Sequence, residues 1–170
     1  MPFEKALEIA KSMMEDLQPY CERIQIAGSL RRRRPEVGDI EMVAIPKLVQ
    51  GVDLFGGPGS EQNLLEDYLH TFDILRGGDH YKKIRLASIE VDLFITTPEQ
   101  WGVIFLLRTG SAEFSHWFVT RRCDGGGLPS HMRIQDGRLW IGGQVADTPE
   151  ESDLFEKTGI CWVSPNERER

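Results

Sequence analysis

The sequence predicts an α+β fold, and three observations carry that prediction. Apolar residues recur at three- and four-residue steps in some segments and at every second residue in others, so helix-like and strand-like stretches are interleaved. The strand-like runs are short and end at glycine or proline. The chain has 170 residues, 40% of them hydrophobic and 28% charged, which suits one globular domain, or one domain and a small lobe.

Each element has its own signal. Phe3, Leu7, Ala10, Met14 and Leu17 alternate four- and three-residue steps, predicting an amphipathic helix over 3–20 whose Met-and-Leu stripe is of the usual core kind. A short strand is expected at 24–27, broken by Gly28-Ser29, and a short helix from Leu30 that stops before Pro35. The next strand is expected at 39–45 and closes at Pro46. The glycine-rich stretch 47–60 reads as a loop, followed by a helix with Leu64, Leu65, Tyr68, Leu69 and Phe72 on one face. Gly77-Gly78-Asp79 reads as a turn into strands at 81–87 and 89–96. An apolar helix at 98–107 is interrupted by Thr109-Gly110-Ser111, and Ser111 is a good N-cap for another helix reaching about 122. Residues 123–129 form the one clear linker, dividing a body at 1–125 from a C-terminal lobe at 126–170. In that lobe an Asp136-Gly137 turn joins two strands into a hairpin, and Thr148-Pro149-Glu150-Glu151 reads as a capping box opening a helix that ends near Gly159.

Charge and composition exclude several classes. No run approaches 18 apolar residues, so no membrane partner is expected. The first residues mix both charges into the apolar pattern, unlike a secretory signal, and three widely spaced cysteines argue against a disulfide or zinc scaffold. A reducing, cytoplasmic setting is expected. Net charge is −7, which argues against a protein that coats nucleic acid. The charges are nevertheless polarised. Arg31 to Arg34 are consecutive, Lys82, Lys83 and Arg85 form a second basic knot, and 146–170 carries seven acids against three bases. Such polarity suits a local, salt-sensitive polyanion site; the arginine run by itself reads equally as a solvated face.

Asp39 and Glu41 stand two apart on one expected strand, so both carboxylates leave the same face while Ile40 and Met42 face the core. Asp92 alternates in the same way with Val91, Leu93 and Ile95. If the two strands are neighbours, three acids converge. Clustered carboxylates raise one another's pKa unless a cation lies among them, and hard oxygen ligands suit magnesium or manganese. Alternating acids are also the common solvent face of a half-exposed strand. A strand that ends in Gly28-Ser29 and turns directly into a helix presents backbone N–H groups and a hydroxyl to a phosphate, and Arg32 lies one helical turn on.

The run GSLRRRRPEVGDIE resembles the signature of the polymerase-beta-like nucleotidyltransferases, and more closely that of family X DNA polymerases. Two arginines follow the serine, a glycine precedes the first acid, a third aspartate sits in Glu90-Val91-Asp92-Leu93, and a helix leads to Thr109-Gly110-Ser111. The tail DTPEESDLFEKTGICWVSPNERER is similar to the end of that family's thumb, so the likeness spans roughly 24–170. The resemblance implies a nucleotidyltransferase palm, a mixed sheet with helices on one side, at 1–125 and a thumb-like lobe at 126–170.

The resemblance also implies roles. Asp39, Glu41 and Asp92 would be catalytic and hold two magnesium or manganese ions, with Asp92 facing the primer 3′-hydroxyl. Ser29 and Arg32 would hold the β- and γ-phosphates, with Gly28 and Gly38 close by. Thr109, Gly110 and Ser111 would line the sugar and base pocket. Lys82, Lys83, Arg85 and His116 would contact DNA, although His116 and Trp117 read equally as a surface histidine and a core tryptophan. Glu41 stands where many members have aspartate, Leu107-Arg108 where familiar members have aromatic residues, and Glu90 where some have arginine. Only one helix fits before Ile24, so the reduced palm-plus-thumb form is expected, without lyase activity. The expected activity is addition of deoxynucleoside triphosphates to a primer 3′-hydroxyl, as in short-gap filling on primer-template or gapped DNA during repair, by a monomer. The rival expectations are a nucleotidyltransferase that extends DNA without a template or acts on RNA ends or a small hydroxylated acceptor, and a non-catalytic nucleotide- or DNA-binding module.

Overall fold

A computed structural model describes residues 1–52 and 57–169 of the chain; residues 53–56 of the expected loop, and Arg170 at the end of the acidic tail, lie outside the described residues. Helix α1 (Phe3–Leu17) leads through a short 3₁₀ turn into β1 (Cys21–Ile26), α2 (Gly28–Arg31) and β2 (Ile40–Pro46). There follow β3 (Leu48–Val52), β4 (Pro58–Asn63), α3 (Leu64–Leu69), β5 (Ile74–Gly78), β6 (Tyr81–Arg85) and β7 (Glu90–Ile95). The chain continues through α4 (Trp101–Thr109), α5 (Ala112–Val119), β8 (Met132–Gln135), β9 (Arg138–Ile141), β10 (Gln144–Ala146) and α6 (Glu151–Thr158).

The central sheet has the order β1-β2-β7-β6-β5. It is mixed: β2 and β7 run parallel, and the other pairs are antiparallel. The molecule is therefore α+β, as expected. Alternation along β2 divides its side chains between two cores. Ile40, Met42 and Ala44 join Val91, Leu93 and Ile84 beneath α1 and α3, where Ala6, Ala10, Met13, Leu17, Leu65 and Leu69 are buried. Val43 and Ile45 face the other way and pack on Trp101 and Phe105 of α4. Helices on one side of the sheet thus describe α1 and α3 only, because α4 covers part of the opposite face. A third cluster joins Val103 and Leu106 of α4 to α5, the β8–β9 hairpin and α6.

Several boundaries differ from the expected ones for identifiable reasons. The stripe of α1 centres on Ala6, Ala10, Met13 and Leu17, leaving Phe3, Leu7 and Met14 at its margin. Part of 47–60 pairs as β3 with β4, a ribbon outside the main sheet whose polar sequence Pro-Gly-Ser-Glu-Gln-Asn carries no alternation to reveal it. Strand β5 runs through Gly77-Gly78, and the turn falls one step later, because Gly78 pairs with Tyr81. Helix α5 stops at Val119, where Thr120 turns extended and donates its hydroxyl to the His116 carbonyl at 2.6 Å. The α6 capping box uses Glu150 and Asp153, not Thr148. Thr148 is buried and donates its backbone N–H to the Glu99 carbonyl, while its own carbonyl accepts from Gly102, clasping the start of α4. The Asp136-Gly137 hairpin has the expected form: both residues are left-handed, with φ 52° and 70°, and Gln135 pairs with Arg138.

Candidate active site

The parallel pairing of β2 with β7 sets Glu41 directly opposite Asp92 and Met42 opposite Leu93. Neighbouring strands lie about 4.8 Å apart, so the two carboxylates leave one face side by side, and Asp39 precedes Glu41 by one pleat repeat. The three acids feel one another. Burial raises the Asp39 pKa, and the Asp92 charge raises it further, against an opposing pull from Lys83. Glu41 is pushed up to about 7, first by burial and then by Asp39, with Asp92 adding and Arg32 and Arg108 opposing.

Asp92 has partners of its own. Its Oδ1 accepts the Tyr81 hydroxyl at 2.6 Å and lies 3.1 Å from Lys83 Nζ, which also bonds Glu90 Oε2 at 2.9 Å. Register explains this: Lys83 sits opposite Asp92 on β6, and Tyr81 is two residues along the same face. Among the described residues, no three His, Cys, Asp or Glu side chains are arranged to hold a metal ion. The donor types and their crowding suit a hard divalent cation, while the Oδ1 of Asp92 is engaged within the protein.

Gly28 lies against this cluster. Its φ is +58°, and a Cβ there would stand 1.9 Å from Glu41 Oε2, so glycine alone allows the strand end to pass the acid. The adjacent Ser29 hydroxyl is buried with no hydrogen-bond partner among the described residues. An unmet buried hydroxyl costs roughly 1–3 kcal/mol, so such a group points to something it bonds. Arg32 ends α2 with its guanidinium in electrostatic reach of Glu41. Its Nη1 donates to the Thr109 carbonyl at 2.7 Å and its Nε to Glu169 Oε1 at 2.7 Å. Gly38 is exposed, with open space beside its Cα.

Thr109-Gly110-Ser111 is held on both sides. Thr109 Oγ1 accepts from Arg31 Nη1 at 2.6 Å, and Ser111 Oγ caps α5 by accepting from the Phe114 N–H at 3.0 Å. The Ser111 N–H donates to the Arg168 carbonyl at 2.9 Å, joining the tail to this turn. Glu151, beneath, accepts from both Arg31 and Arg168. The arginines after Ser29, the Thr-Gly-Ser turn and the acidic tail, far apart in sequence, therefore meet at one place.

A cleft of about 690 Å³ opens beside Asp92, with Tyr81, Phe94, Ile104 and Arg108 in its walls and Asp136 of the hairpin turn at its far side. Gln100 spans it by donating to the Asp136 carbonyl at 3.0 Å. Tyr81 and Glu169 escaped the reading of the sequence, and Arg108 entered it as a departure from the resemblance and not as a site residue. Alternation with Lys83 could have placed Tyr81 once the register was known, and Arg108 precedes the singled-out turn; nothing marks Glu169 among the tail's acids. Arg108 lies flat over the Phe94 ring at 4.0 Å.

The second basic knot is ion-paired: Lys82 with Glu66 at 2.6 Å, Lys83 as above, and Arg85 with Asp73 at 3.6 Å. Lys83 belongs to the acid cluster, Lys82 alternates to the opposite face, and Arg85, on the same face as Lys83, stands opposite Glu90. His116 is exposed on α5, and Trp117 packs tilted against Phe114 and edge-on against Phe118. No helix among the described residues is long and apolar enough to cross a membrane. No protein-family model matches the chain, and no curated protein is significantly similar to it.

Proposed function

We propose that the chain is a reduced family X type DNA polymerase, with a nucleotidyltransferase palm at 1–125 and a thumb-like lobe at 126–170. It adds deoxynucleotides to a primer 3′-hydroxyl on template-bearing or gapped DNA. The observation that carries this reading is the parallel register of Glu41 with Asp92, one repeat from Asp39 and beside the Gly28-Ser29 strand end.

Asp39 and Glu41 would hold one divalent ion and, together with Asp92, a second. Such ions, when bound, neutralise phosphate charge and lower the pKa of the attacking hydroxyl. The remaining work falls to the chain's own groups. Ser29 donates its hydroxyl, and Arg32 its guanidinium, to oxygens of the β- and γ-phosphates. Asp92 lines the cleft; on this reading it faces the primer 3′-hydroxyl and takes up its proton. The 3′-oxygen forms its bond to the α-phosphorus as the bond to the bridging oxygen breaks, and pyrophosphate leaves toward Ser29 and Arg32.

A second reading has one observation in its favour. Lys83 neutralises Asp92 from within the protein, as a nucleotide-binding module without chemistry would permit. Primer extension separates the two. Incubated with a gapped or recessed primer, deoxynucleotides and magnesium or manganese, the chain should extend only on matched template. Asp39→Asn and Asp92→Asn should each lower the rate at least a hundredfold with unchanged melting. Extension that ignores the template would favour a template-independent transferase, and an undiminished rate in either variant would reject this site.

A further inference from the structure

We infer that Glu169 is an internal competitor for the phosphate seat on Arg32, so that the site admits only a ligand charged enough to displace a tethered carboxylate. The inference rests on the reading of Arg32 as a phosphate-holding residue. Glu169 Oε1 accepts from Arg32 Nε at 2.7 Å, in the position an anionic ligand oxygen would take. Among the described residues the other hydrogen bond of that guanidinium goes to the neutral Thr109 carbonyl, so Glu169 is its directly bonded counter-charge, with Glu41 acting at longer range. The Arg32 side chain is only 13% exposed, where pairing is screened little, while Glu169 is 36% exposed and free to turn outward.

The surroundings favour exchange of the side chain over release of the tail. Arg168 is fully buried, bonded to Glu151 and to the Val163 carbonyl, and its own carbonyl holds the Ser111 N–H. The backbone next to Glu169 is thereby pinned. Arg34 Nε already lies 3.7 Å from the same Oε1 and is 54% exposed, so it can keep the displaced carboxylate at the surface. A tethered competitor acts at an effective concentration in the millimolar range or above. A monoanion does not exceed it, whereas a polyphosphate offers several charged oxygens to Arg32 and the Ser29 hydroxyl together. Glu169 thus raises the affinity any anion needs to occupy Arg32, a level that a polyphosphate reaches through its added contacts.

Calorimetric titration of the full chain with inorganic tripolyphosphate and with orthophosphate, at fixed ionic strength, tests this. Glu169→Gln should tighten tripolyphosphate and orthophosphate by a similar factor, roughly five- to tenfold, because one tethered competitor opposes every anion at that seat. Arg32→Ala should weaken both ligands. Glu36→Gln removes an acid paired with the amino terminus, 78% exposed, and should change neither. Equal tightening by Glu36→Gln and Glu169→Gln would overturn the inference, leaving only a general charge effect. Unchanged binding in Glu169→Gln, with Arg32→Ala weakened, would overturn the competitor and leave the phosphate seat intact. Tripolyphosphate binding that ignores Arg32→Ala, or is absent from every form, would overturn both. Melting curves confirm that each variant is folded.

Discussion

Gly28 shows how one residue sets the site. Any other residue would need a left-handed backbone, at about 1–2 kcal/mol, and would place its Cβ against Glu41. Gly28→Ala is therefore expected to destabilise the chain by about 2 kcal/mol in urea unfolding and to push Glu41 out of the cluster. An unchanged unfolding midpoint would contradict the close approach. At this scale much was legible: Asp39, Glu41 and Asp92 were recognisable because alternation along a strand needs no tertiary information. Tyr81 and Glu169 were not, because each meets its partner through strand register or tail docking, which local pattern does not encode. Residue spacing likewise could not show that Lys83, read as part of a basic knot, is bound to one of the acids.

Among the elements, the tie between α2, the tail and α6 is the most exposed to test. Glu151 is 5% exposed, and although burial works to raise its pKa, hydrogen bonds from Arg31 and Arg168 outweigh burial and hold it below the ordinary value. A depressed carboxylate pKa stabilises the fold above the unfolded-state pKa, about 4.5, and that contribution fades as pH falls through the lower folded value. Glu151→Gln should cost about 3–5 kcal/mol at neutral pH, since it leaves the buried Arg168 and the part-buried Arg31 without their shared counter-charge. The gap in melting temperature between wild type and variant should narrow as pH falls below the unfolded-state value and close only beneath the lower folded one. A gap independent of pH would show that the pair is not the source. The Arg31–Phe105 stack at 3.8 Å, and the bidentate Arg23–Glu150 pair at 2.7 and 2.8 Å, fasten the same junction. Helices and the hairpin were readable from period and turn chemistry. The β3–β4 ribbon and edge strand β5 were not, because exposed or edge strands carry weak apolar alternation.

Across the whole molecule, the sequence's charge polarity is resolved by pairing. The tail's acids neutralise the arginines that follow Ser29: Arg31 with Glu151, and Arg32 and Arg34 with Glu169. The run of four arginines is thus neither a uniform solvated face nor a free anion patch; Arg31 and Arg32 turn inward, while Arg33 and Arg34 stay exposed. What the fold delivers is Glu41 and Asp92 on adjacent parallel strands with Asp39 just before the first, next to a strand end whose Ser29 hydroxyl has no partner among the described residues, and with Asp92 lining a cleft. The claim that these acids act together as a divalent-cation site is tested most directly by titrating the nucleotide-free chain with manganese and counting bound ion by electron paramagnetic resonance. Wild type should bind manganese, Asp39→Asn and Asp92→Asn should each lose at least tenfold in affinity, and Glu66→Gln, an acid paired elsewhere, should bind as wild type does. Manganese binding unaffected by either aspartate substitution, or absent from the wild type, would contradict it.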